Sequence, residues 1–130
     1  MNLYVRGSAR LTQSVMRKIL LFADYLDHVL WDRSEDGKPI APETLGLSEE
    51  TIRLLWEWYR MWGQIEYKDR GGGDANIDWL LFDEKGISLW RRLRGELAGR
   101  YNVMFYSHRL EEDFEDPDKL EMMLRDVPTA

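Results

Sequence analysis

Few residues in this 130-residue chain have the types and spacing for catalysis or metal binding. Asp24, His28 and Asp32 recur at four-residue steps. On a helix that spacing would set an imidazole between two carboxylates, as in a general base or a set of metal ligands. The surrounding segment opposes it. KILLFA (18–23) is a short continuous apolar run of strand length. DHVLWD (27–32) alternates, with Val29 and Trp31 on one side and His28, Leu30 and Asp32 on the other. Ser107 precedes His108, but neighbours on a strand point to opposite faces, and the G-x-S-x-G elbow is absent. Gly71-Gly72-Gly73 is not followed by Lys-Ser or Lys-Thr, and G-x-G-x-x-G spacing is absent, so the run reads as a flexible link. With no cysteine, thiolate chemistry is excluded. No metal or cofactor is expected, and the chain reads as a non-enzyme. A small hydrolase built on Asp24, His28 and Asp32 is the least favoured alternative.

Binding chemistry has more material. The net charge is −6. His108 to Ala130 contains eight acids and three bases and so carries −5 of it, while residues 1–107 are close to neutral. Such a segment repels nucleic-acid phosphate and attracts basic protein surfaces; a solvated tail is the plainer alternative. Arg91, Arg92, Arg94 and Arg100 cluster near Trp90 and Tyr101, yet Asp83, Glu84 and Glu96 share their helix, so nucleic-acid binding is not expected. Six tryptophans, six tyrosines and four phenylalanines exceed what chemistry requires, and most should be core. Trp31 and Trp58 are the expected exceptions. An exposed tryptophan beside acids has the character of a protein-binding hot spot. The partner-binding candidates are therefore Trp31, Trp58, Glu111, Glu112, Asp113, Glu115 and Asp116.

These groups need a frame to hold them. Residues 1–15 follow no apolar period and read as a flexible extension. Asp36-Gly37 is a candidate hairpin tip. Ser48 is a good N-cap for a helix to about Tyr67, with Glu49 and Glu50 in its first turn. That helix shows two apolar stripes, Ile52/Leu55/Trp56/Tyr59/Trp62 and Leu54/Trp58/Met61/Ile65, which calls for cover on both flanks. A second helix follows the glycine link. Trp79, Phe82, Gly86, Leu89, Leu93 and Leu97 form its core stripe, and Asp83 lies on its polar side. Gly86 and Gly95 suggest close packing, and Gly99 stops the helix. YNVMFYSH (101–108) reads as a strand apolar on both faces. Asp116-Pro117 opens a last short helix, with Leu120, Met123 and Leu124 on its sticky side.

The expected architecture is α+β: a small two-layer domain with a strand–helix–helix–strand core and a short sheet covered by two long helices. Its two buried strands pair in parallel. The domain spans 16–108, followed by the acidic segment 109–130. A length of 130 residues suits one core. No apolar run reaches the roughly 18 residues of a membrane span, and no signal peptide is apparent, so a cytoplasmic location is expected.

Four segments, LLFADYLDHVLWD, LSEETIRLLWEWY, DWLLFDEKGISLWRRLRGEL and YNVMFYS, together resemble small bacterial proteins of the toxin-immunity type. The likeness covers about residues 16–107. It implies a protein that occludes a basic toxin by steric block and charge pairing. A homodimer through the over-apolar first helix is the runner-up.

Overall fold

A computed structural model describes residues 16–34 and 37–128. The expected extension, 1–15, and Asp36 of the expected hairpin tip lie outside the described residues. The described chain runs β1 (Arg17–Leu21), β2 (Leu30–Asp32), a single 3-10 turn (Pro42–Thr44), α1 (Glu49–Arg70), α2 (Asn76–Glu96), β3 (Tyr101–Ser107), β4 (Glu112–Phe114) and α3 (Pro117–Arg125). The strands form one mixed sheet in the order β2-β1-β3-β4. β1 and β3 pair in parallel, with Ile19 opposite Val103 and Leu21 opposite Phe105. β2 and β4 pair antiparallel at the two edges. This is the expected α+β architecture, extended by an edge strand, β4.

Strand residues alternate between two faces, and the faces have different fates. Ile19, Leu21, Leu30, Val103, Phe105 and Phe114 join one buried cluster with residues from all three helices. Leu20, Trp31, Met104 and Tyr106 lie on the other face by register. None of those four belongs to the cluster. The reading of β3 as buried on both faces is thus corrected: Met104 and Tyr106 remain half-buried beside fully buried Phe105.

The helices form for local reasons and pack for others. Ser48 caps α1 by accepting the Thr51 N–H at 3.2 Å, and Glu49 and Glu50 face the positive end of the helix dipole. The buried line of α1 is Thr51, Leu55, Trp58, Trp62 and Ile65. It runs between the two expected stripes, which are the margins of one broad face. Trp58 sits on its centre. The indole stacks on Phe82 at 4.3 Å and donates to the Phe82 carbonyl at 3.1 Å. The expectation that Trp58 stands outside the core is corrected by that position; the side chain is 5% exposed.

α2 buries its whole expected stripe from Trp79 to Leu97. Gly86 is where the helix meets the sheet. A Cβ there would lie 2.6 Å from the Phe105 ring and 3.2 Å from Trp58. Gly95 faces open space, so its expected packing role is corrected. Gly99 turns the chain into β3 at φ +82, a conformation that costs a side chain but not glycine.

Residues 109–127 are no solvated tail. Phe114, Leu120 and Leu124 are part of the core, and Asp116 caps α3 with Pro117 in its first turn.

Candidate functional site

The second face of the sheet holds a cavity of about 500 Å³. Leu20, Phe22, Trp31 and Tyr106 line it, with Asp24, Arg33, Glu111, Glu112 and Asp113 around them. Its position follows from topology. β1 and β3 are the two central strands, so their outward residues make a floor, while the loop after β1, the end of β2 and the β3–β4 turn make the walls.

The floor is aromatic. Phe22 meets Tyr106 edge-on at 4.9 Å and Trp31 at 6.4 Å. The Trp31 indole N–H donates to the Phe22 carbonyl at 2.8 Å, which ties β2 to the end of β1 and satisfies the ring's one polar atom. His28 packs edge-on against Trp31 at 5.3 Å. Burial first, then the negative charges of Glu111 and Asp113, holds the Tyr106 phenol above its usual pKa. Tyr106 therefore stays neutral in a field made by those two acids.

The acids differ in how they are occupied. Asp113 is paired with Arg33 across the mouth. One Asp24 oxygen accepts the Leu26 N–H at 2.9 Å. The Glu111 side chain makes no ion pair or hydrogen bond among the described residues, although its backbone sits at φ +57. Glu112 lines the cavity, but its register places it opposite Ser107. Glu115 lies outside, 3.6 Å from Lys18, and Asp116 is spent as a helix cap. Of the expected partner-binding residues, Trp31, Glu111, Glu112 and Asp113 meet in one place, while Trp58, Glu115 and Asp116 do not.

The β3–β4 turn is held from beneath by a buried carboxylate that periodicity had placed on the polar side of α2. Asp83 is fully buried. It accepts from the Ser107 hydroxyl at 2.6 Å and from the His108 and Arg109 N–H groups at 3.1 Å each. The Ser107 hydroxyl accepts from the Leu110 N–H at 3.0 Å, and the Ser107 carbonyl accepts from Glu111 at 2.7 Å. Burial pushes the Asp83 carboxyl up to about 6, against the pull of those donors.

His108 links this clamp to the floor. Its ring stacks on Trp79 at 4.9 Å on the helix side and on Phe22 at 5.8 Å on the cavity side. Trp62 donates to Nε2 at 3.1 Å, which assigns the proton to Nδ1, a buried atom with no hydrogen-bond partner among the described residues. Burial holds this imidazole down to about 4, so it is neutral at physiological pH.

The residues of the alternative hydrolase do not converge. Asp24 caps a turn and His28 packs on Trp31. Asp32 is buried on the helix side of the sheet and paired with Arg17. Among the described residues, no group of three or more His, Cys, Asp or Glu could hold a metal ion, and no helix is long and apolar enough to cross a membrane.

Phe22 and Tyr106 were missed by sequence reasoning because strand aromatics read as core. Their signal is parity: each shares a face with Trp31 once the antiparallel β1–β2 and parallel β1–β3 registers are drawn.

Residues 17–108 match the model of a family described as Serratia CdiI immunity protein-like. That span contains the aromatic floor and ends before Glu111, Glu112 and Asp113. No curated protein matches the chain.

Proposed function

We propose that this chain, which belongs to the Serratia CdiI immunity protein-like family, binds a toxin protein and blocks it through the second face of its sheet. The observation that carries the reading is the cavity on that face, where half-buried aromatics meet Glu111, whose side chain has no partner among the described residues. The chain acts as a non-catalytic stopper in the cytoplasm. Apolar rings leave water on docking and set the off-rate, while the acidic rim speeds encounter with a basic toxin surface.

The test is titration of the purified chain with the product of any toxin gene found beside its own, together with growth protection on co-expression. Trp31→Ala is expected to weaken binding by tenfold or more, roughly the loss of one aromatic anchor. Glu111→Gln is expected to slow association most at low salt. A Trp31→Ala variant that binds and protects like the parent removes this face from the interface. Removing everything after His108 is a poor test, because it strips Phe114, Leu120 and Leu124 from the core.

A second reading rests on a groove of about 460 Å³ between α1 and α2, lined by Leu54, Trp58, Met61 and Leu89 with Glu57 on one wall and Lys85 and Arg92 on the other. That distribution of charge suits a homodimer. Sedimentation as a monomer at micromolar concentration disposes of it.

A further inference from the structure

We propose that the cavity on the second face receives a single arginine side chain of the partner, its guanidinium laid against Phe22, Trp31 and Tyr106 and its charge met by Glu111. The inference rests on the toxin-binding reading and names the chemistry that the face selects.

Three observations converge. The floor is built of three aromatic rings, with Phe22 6.4 Å from Trp31 at 48° and 4.9 Å from Tyr106 at 68°. Such a cluster offers π faces and edges to a weakly hydrated planar cation, and a guanidinium suits it better than the compact, strongly hydrated ammonium of lysine. Second, the acidic rim of the cavity is only partly neutralised. Arg33 already neutralises Asp113, and one Asp24 oxygen is engaged by a backbone N–H. The Glu111 and Glu112 side chains have no hydrogen-bond or ion-pair partner among the described residues, and of the two it is Glu111 that lies close enough to raise the Tyr106 pKa.

Third, Glu111 is held in a left-handed conformation at φ +57 that disfavours any residue with a Cβ. Asp27, the other non-glycine residue with positive φ among the described residues, accepts a hydrogen bond from the Tyr59 hydroxyl at 2.9 Å. Glu111 has no such internal compensation. Its turn is fixed by the Ser107 and Asp83 clamp instead. A strained backbone that presents a carboxylate with no partner among the described residues over an aromatic floor is arranged for a ligand from outside. Asp83 is then a positioning residue for Glu111.

The probe is N-acetyl-arginine-N-methylamide, titrated at millimolar concentrations into the full isotope-labelled chain. The expected result is saturable shifts of the Trp31 indole N–H and the Tyr106 and Glu111 amides. The citrulline analogue, which keeps the shape without the charge, and the lysine analogue should bind about tenfold more weakly, the order of one desolvated cation–π contact. Glu111→Gln should abolish the preference for arginine over citrulline, and Glu115→Gln, outside the cavity, should leave it intact. Equal binding of arginine and citrulline overturns the inference, as do shifts centred elsewhere or a lysine preference. Toxin titration separates the two readings. If the parent binds toxin and Glu111→Gln binds it within twofold, the arginine pocket fails and the immunity reading stands. If the parent binds no toxin, the broader reading fails.

Discussion

The two faces of the sheet carry similar side chains and do opposite work. Phe105 and Tyr106 are adjacent on β3. Phe105 is fully buried between Trp58 and Trp90, while Tyr106 is half-buried at a cavity wall. What separates them is the layer above. α1 and α2 close one face, and no helix residue joins Leu20, Met104 and Tyr106 in a shared cluster. An aromatic residue on the first face contributes stability by being out of water. On the second face the same chemistry stays half-buried, which is the surface the proposed partner contact would cover.

Substitutions on the two faces should therefore separate stability from binding. Phe105→Ala should lower the unfolding free energy by about 4 kcal/mol, since it opens a cavity in a closed core. Trp31→Ala should cost about 1 kcal/mol or less in the same urea titration, consistent with its half-buried position, while weakening partner binding. Equal losses at the two sites would mean that the second face is also core.

The next largest effect lies where the faces meet. The imidazole of His108 takes up its proton near pH 4 when folded and near the usual 6.5 when unfolded. The unfolded chain therefore binds more protons between those values, and stability is lost as pH falls from about 6.5 towards 4. Asp83 opposes it: its raised folded pKa means that stability falls as pH rises from its usual 3.8 to about 6. A His108→Gln variant keeps an acceptor for Trp62 and removes only the histidine contribution. The stability of the parent relative to this variant should drop by ~3 kcal/mol between pH 7 and pH 4. A flat difference would mean that His108 titrates freely and is not buried as a link between the faces.

Much of this frame was legible from periodicity and punctuation. The α2 stripe from Trp79 to Leu97, the parallel pairing of β1 and β3, and the start of α3 at Asp116-Pro117 each follow from local rules. The failures share a cause, which is tertiary override. Asp83 looks exposed because it is charged, and only the fold brings three donors to it. β4 is three residues, two of them acidic, and is a strand only because β3 is beside it. Trp58 belongs to one of two stripes that are in fact the margins of a single buried face. For the site, Trp31 and the acids of the turn were recognisable by type, but Phe22 and Tyr106 needed the register.

Gly86→Ala probes the closed face more gently. Alanine favours a helix by about 1 kcal/mol, yet the new Cβ would press on Phe105. Overpacking of this kind costs about 1–3 kcal/mol, so a net loss of about 1 kcal/mol is expected. A stabilised variant would show that α2 can lift from the sheet.

The smallest effect has the opposite sign and divides the faces most sharply. Glu111→Gly removes a side chain from a left-handed position, which relieves about 1–2 kcal/mol of backbone cost. Glycine also gains freedom when unfolded, which returns up to about 1 kcal/mol. The net expectation is a stability unchanged or raised by up to about 1 kcal/mol, read as a higher urea midpoint. Partner association should slow in the same variant, because a carboxylate of the mouth that has no partner among the described residues is gone. A residue kept for folding cannot show both outcomes. If Glu111→Gly folds less stably and binds as before, Glu111 serves the turn rather than the partner.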